Sequence, residues 1–236
     1  MTNNEIVNIL IEDLKKASSA RHNTKGVTPF TTHMKWLGVS APQLKSIVKN
    51  WRPILFDFSP ERWIEVCLLL CMQGIFECQI LAYEILWKVK PALKALTKEQ
   101  ILELGSVLDN WVSTDAYCTM IAGWHWREGT LPDSQIKKWL KSDDRWLRRV
   151  GVVCTIPLNL KAKGGTGNTG RTLMVCERVI DDRDDMVVKA LSWALRELSK
   201  SDKAAVENFM RTHWERLHGR VRREVTTKLE TGRKNG

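Results

Sequence analysis

Trp111 and Asp115 stand four positions apart in the stretch "DNWVSTDAY" at 109–117. On a helix that spacing sets one above the other on the same side. An ionised carboxylate and a ring face both attract positive charge: the ring holds a cation at about 0.5–2 kcal/mol. A carboxyl with an ordinary pKa of about 3.9 is charged at neutral pH. Opposed to a developing unit charge at about 4 Å, with an effective dielectric of about 20, it contributes up to about 4 kcal/mol. That is about three powers of ten in rate. A plainer role stands beside this one, a surface carboxylate near a helix N-terminus and favourable to the helix dipole. Asp109 or Asn110 is placed to cap the helix. Val112, Ala116, Thr119 and Met120 are then expected on its inner face, with Trp111 and Asp115 on the border.

A second indole is set among cations. In "DDMVVKALSWALRELSK" (184–200), Val187, Leu191, Ala194, Leu195 and Leu198 share one helical face, while Lys189, Trp193, Arg196 and Lys200 follow i, i+4, i+7, i+11 on the other. Most of the eleven tryptophans belong in a core by default, but the periodicity points Trp193 away from it. Cations around an exposed indole suit nucleic acid, where the charges hold phosphates and the ring meets sugar or base. A solvated face with an incidental Trp is the alternative. "DDRWLRRVGVVCTI" (143–156) follows the same plan, with Trp146, Leu147, Val150, Val153 and Cys154 as core and Arg145, Arg148 and Arg149 opposite. The segment "HGRVRREVTTKL" (218–229) adds Arg220, Arg222 and Arg223. Stacked in register, these helices make a basic track whose contacts go to the nucleic-acid backbone. Its binding is sequence-neutral and strongly salt-dependent.

The whole chain supports a polyanionic partner. Its 236 residues carry 37 Lys and Arg against 27 Asp and Glu, a net charge of +10. Such a surplus favours nucleic acid or an anionic membrane surface. The N-terminal residues lack the pattern of a secretory signal, and the longest apolar run, "VCLLLCM" at 66–72, is far short of the roughly 20 residues that cross a bilayer. A soluble, intracellular protein is expected. Cys67, Cys71, Cys78, Cys118, Cys154 and Cys176 lie inside apolar helical patterns with no C-x-x-C pair, which reads as buried, reduced thiols. His22, His33, His125, His213 and His218 have no zinc-site spacing.

The elements that must position these residues are helices. Apolar residues recur at three- and four-residue spacing with no convincing alternating strand. Breaks are expected at 24–30, 37–42, Pro53, 57–60, Pro91, 129–134 and 163–170, dividing the chain into about a dozen helices. "DRWLRRV" (144–150) aligns with "DDMVVKA" (184–190) at a spacing of 40, acid on acid and basic on basic, in the manner of a HEAT motif. The expected fold is all-α, an α-solenoid of HEAT-like antiparallel helix pairs forming a single domain over 1–236, with a concave basic face. "KGGTGNTG" (163–170) reads as a mobile loop between pairs. It lacks the Walker pattern of a phosphate cradle.

Five ordered blocks carry a resemblance to a known family. "HMKWLGVSAPQLKSI" (33–47) is similar to an amino-terminal "LGI-x-x-P-x-L/R" segment, "NWVSTDAY" to a "W-x-x-x-D" site, and "WLRRVGVV" to a "WL-x-R" helix. "VVKALSWALRELSK" followed by "RREVTTKL" is similar to "KA-x-GW-x-LRE-x-(S/A)K … RREA-x-KH". The chain resembles the AlkD-like alkylpurine DNA glycosylases, helical proteins of HEAT-like repeats. An aromatic that the family often carries before "LGI" has Phe30 as its nearest counterpart.

The resemblance implies that Trp111, Asp115 and Trp193 form a catalytic cleft and that Arg149 contacts the DNA backbone near the lesion. It implies hydrolysis of the N-glycosidic bond of cationic alkylated purines, 3-methyladenine and 7-methylguanine, in duplex DNA without a base-flipping pocket. A monomer without metal or cofactor, cytoplasmic and held at the nucleoid through DNA, is the corresponding expectation. A non-catalytic HEAT-like protein that binds branched or bent DNA is the alternative, and a protein-interaction scaffold is a third reading that the basic stripe disfavours.

Overall fold

The computed structural model describes residues 1–18 and 30–233. Except for Phe30, the break expected at 24–30 lies outside the described residues, as does His22. The described residues are all-α, with one isolated bridge between Lys35 and Ile75. None of their helices is long and apolar enough to cross a membrane. They group into two compact units, 1–121 and 122–236.

The first unit contains α1 (Asn3–Ala17), α2 (Ala41–Asn50), α3 (Arg52–Leu55), α4 (Pro60–Cys71), α5 (Phe76–Lys88), α6 (Lys90–Ala95), α7 (Lys98–Leu104) and α8 (Trp111–Tyr117). At its centre is α5, packed by α1, α2, α4, α6 and α8. Every residue from Phe76 to Tyr83 on α5 is buried, as expected of a helix apolar nearly all round. The exception in character is Glu77, an acid with no exposed surface. Its carboxylate accepts the amides of Leu37 (3.0 Å), Gly38 (2.7 Å) and Val39 (3.2 Å). Three successive N–H groups thus converge on one buried charge. The chain turns there through Gly38 at φ 79°, a conformation that glycine adopts without steric cost.

The second unit contains α9 (Gly123–Glu128), α10 (Asp133–Leu140), α11 (Arg145–Val153), α12 (Ile156–Asn159), α13 (Thr169–Arg178), α14 (Asp185–Leu198), α15 (Lys203–Thr212) and α16 (Gly219–Thr231). Here α14 is central, packed by α11, α12, α13, α15 and α16. Val187, Leu191, Ala194, Leu195 and Leu198 are buried as their spacing predicts, and Val188 and Ala190 widen that face.

Sixteen α-helices lie among the described residues, more than the dozen expected. The four-residue helices α3 and α12 explain part of the difference, since each has Pro at its second position, where proline starts a helix rather than continuing one. The aligned acids at 144 and 184 do the same work in both places. Asp144 accepts the Trp146 amide at 2.8 Å and Asp184 the Met186 amide at 2.9 Å, capping α11 and α14 alike.

The Gly-rich run at 163–170 differs from the loose loop expected of it. The Gly165 and Gly167 amides bond to the Leu160 and Leu158 carbonyls at 3.0 Å each. Arg127 donates to the carbonyls of Pro157 (3.2 Å) and Lys163 (2.7 Å). Asn168 caps α13, and Thr169 donates to Asp202 at 2.6 Å. Composition suggested freedom, but these bonds fold the run back onto α12.

Candidate functional site

In the first unit, the site is built on α8. Asn110 is fully buried, and its side chain accepts the Ser113 amide at 3.0 Å, which starts the helix at Trp111. Asp109 accepts the Thr32 hydroxyl (2.8 Å), the His33 amide (2.6 Å) and the Asn110 side-chain amide (2.9 Å). These bonds tie the first turn of α8 to a segment 76 and 77 positions earlier in the chain. At the other end, Tyr117 donates its hydroxyl to the Ile101 carbonyl at 2.7 Å, and its ring lies 5.7 Å from that of Tyr83. A π-helical turn, Cys118–Ala122, follows at once, and Thr119 donates to the Asp115 carbonyl at 2.8 Å. Such π-turns within helices recur at functional sites.

This frame leaves Trp111 42% exposed, while Asp115 is half-buried. The inner face is not the one read from hydropathy. Ser113, Thr114, Tyr117, Cys118 and Ile121 are buried, whereas Val112, Ala116, Thr119 and Met120 are only half-buried. Polar residues can turn inward here because their hydroxyls find partners: Thr114 donates to the Asn110 carbonyl at 2.7 Å and Tyr117 to Ile101.

In the second unit, Lys189, Trp193 and Arg196 are half-buried and Lys200 is exposed, along the line of α14 that the spacing predicts. The cations already have acids as partners. Lys189 pairs with Asp185 at 2.6 Å, and Arg220 reaches both Asp185 (2.8 Å) and Glu224 (3.0 Å). Ser192 donates to Glu224 at 2.7 Å, Arg196 lies 3.6 Å from the same carboxylate, and Lys200 pairs with Glu197 at 2.7 Å. Lys189 and Arg220 hold the Asp185 carboxyl below its usual range. Burial alone would raise Glu224, but the bonds from Ser192 and Arg220 and the charge of Arg196 outweigh it, and its pKa is lowered. Facing acids from α14 and α16 therefore neutralise much of the expected stripe.

The arginines of α11 also differ from expectation. Arg149 is only 5% exposed and donates to the Met186 carbonyl, so it braces α11 against α14 rather than joining an exposed row. Arg148 pairs with Asp182 at 2.7 Å and donates to the Ser142 and Asp143 carbonyls. Arg145, the exposed member, pairs with Asp184 at 3.1 Å. Trp146 and Leu147, expected in the core, are half-buried. On α16, Arg222 lies over the Trp214 ring at 5.4 Å, and Arg223 is exposed.

All six cysteines are buried. Burial pushes the Cys78 thiol up to about 12 and also raises those of Cys67, Cys71 and Cys176. Such thiols are poor nucleophiles. Among the described residues, no group of three or more His, Cys, Asp or Glu is arranged to hold a metal ion. Sequence reasoning missed Glu77, the acid that anchors the segment before α2, although an acid inside an otherwise apolar helix was a signal. Asp109 was read as a possible helix cap, and its bonds to Thr32 and His33 had no signal because those partners lie far away in sequence.

Residues 10–229 match the profile of a family described as DNA alkylation repair enzyme. Among solved structures, the chain is similar to a predicted DNA alkylation repair enzyme from Enterococcus faecalis. The TM-score is 0.68 at 18% identity, over 84% of this chain and 90% of that one. At that identity the likeness concerns the fold. No curated protein matches the chain by sequence.

Proposed function

Since the chain belongs to the DNA alkylation repair enzyme family, whose partner is DNA, we propose that it is a monofunctional DNA-N-glycosylase releasing cationic alkylated purines, 3-methyladenine and 7-methylguanine, from duplex DNA. The observation that carries this reading is the pair on α8: a half-buried carboxylate, Asp115, one turn from an exposed indole, Trp111, on a helix fastened at both ends.

A purine alkylated at ring nitrogen 3 or 7 already carries a positive charge. When the bond from sugar C1′ to the base nitrogen breaks, the electron pair leaves with the base and neutralises it, so no general acid is needed. The sugar becomes oxocarbenium-like, and water completes the hydrolysis at C1′ with loss of a proton. Asp115 stabilises the developing charge, by up to about 4 kcal/mol at about 4 Å and an effective dielectric of about 20, and orients the water. Trp111 holds the cationic nucleotide by its ring face, at about 0.5–2 kcal/mol. An indole as exposed as Trp111 suits a nucleotide met at the surface rather than one drawn into a deep pocket. Lys189, Arg196, Lys200, Arg220, Arg222 and Arg223 supply phosphate contacts in this reading, several of them only after exchanging a protein acid for a phosphate.

The test is chromatography of bases released from methylated duplex DNA by the purified protein, with no metal or cofactor added. Free 7-methylguanine or 3-methyladenine above the spontaneous rate is expected. Binding without release would overturn the proposal and favour a non-catalytic DNA-binding protein.

A further inference from the structure

A second cationic surface lies entirely within the first unit. Lys45 and Lys49 on α2, Arg52 at the start of α3 and Phe56 just after α3 bring three cations and one aromatic to one surface. With Lys88, at the end of α5, and Glu84 they line a groove of about 510 Å³. All four cations are exposed, and among the described residues none of them is engaged in an ion pair. Four cations against Glu84 leave the groove at +3 (4 − 1). Phe56 at its rim is 63% exposed and sets an aromatic surface beside the cations.

The contrast with α14 decides what this groove can do. There, Lys189, Arg196, Lys200 and Arg220 already have protein carboxylates as partners, so a phosphate gains only the difference between two anions. In the groove, the cations are neutralised by mobile counterions, and a phosphate that displaces those ions contributes the full release term. We propose that the groove between α2, α3 and the end of α5 binds the sugar-phosphate backbone of DNA, with Phe56 against a sugar or base, and that it supplies most of the salt-dependent affinity. The proposal rests on DNA being the partner, but it does not depend on base release.

The test uses the full chain and a fluorescently labelled duplex without lesions, with affinity followed by anisotropy across a salt series. Lys45→Ala with Lys49→Ala removes two contacts and should lower the magnitude of the slope of log K against log salt by about 1.8, at about 0.9 per phosphate. Phe56→Ala should weaken binding severalfold with the slope unchanged, because a stacking contact releases no counterion. All three residues are exposed, and circular dichroism checks that the variants remain folded. An unchanged slope in the double variant overturns the proposal. So does unchanged DNA binding accompanied by lost binding to vesicles of anionic phospholipid, which would assign the groove to a membrane surface. Because unmodified DNA is the probe, failure of the glycosylase reading leaves this result intact.

Discussion

Gly105 lies against the Tyr117 ring so closely that a Cβ at residue 105 would stand 2.7 Å from the ring's Cζ. Its backbone conformation is open to any residue, with φ −96°, so the requirement for glycine is steric. The ring it admits is the anchor of α8 through the Tyr117 bond to Ile101. Gly105→Ala must therefore displace Tyr117 or the turn before α8. It should cost about 1–3 kcal/mol, as overpacking does, measured by urea denaturation. Under the proposed function it should also slow base release, because Trp111 and Asp115 ride on the same helix. Full stability in this variant would show that the anchor is looser than described.

Glu77 makes a second prediction about positioning. Removing its carboxylate leaves the amides of Leu37, Gly38 and Val39 without their acceptor in a buried place. Each orphaned group costs about 1–3 kcal/mol. Glu77→Ala should therefore lower the stability by about 3 kcal/mol or more, and Glu77→Gln by less, since an amide oxygen can still accept. A loss below about 1 kcal/mol for the alanine variant would contradict the anchoring role.

Much of the helical frame was legible from residue type and spacing. The buried line of α14 and the caps at Asn110, Asp144 and Asp184 follow from local chemistry, in which the partner is two to four residues away. What was not legible depends on residues brought in from elsewhere. Nothing near Lys189 and Arg196 in the pattern announces that Arg220 and Glu224 will meet Asp185 and Ser192 across α14 and α16. Arg149 reads as one more surface arginine until Met186 offers its carbonyl. On α8, hydropathy favours Val112 and Ala116 over Thr114 and Tyr117, and it errs because the backbone acceptors that make hydroxyls fit for burial leave no trace in composition. The Gly-rich run misled for the same reason, since Arg127 and Asp202 hold it from outside.

The network on α14 and α16 makes a prediction about acid. The folded-state pKa values of Asp185 and Glu224 lie below their ordinary values of 3.8 and 4.5. Groups depressed in this way add stability above the unfolded-state pKa and lose it as pH falls through the folded-state pKa. Stability should thus decline as pH drops below the ordinary carboxylate values. The double variant Asp185→Asn with Glu224→Gln should be less stable at neutral pH and lose less on acidification. The urea midpoint as a function of pH is the measurement, and an acid limb of unchanged steepness would count against the network.

The most direct measurement of the central claim is the single-turnover release of 7-methylguanine from methylated duplex DNA by Asp115→Asn, at protein concentrations that saturate the DNA. An amide of nearly the same size keeps the helix and removes the charge. A rate lower by about three powers of ten is expected, the equivalent of about 4 kcal/mol, with DNA affinity largely retained. Release at the wild-type rate would contradict it.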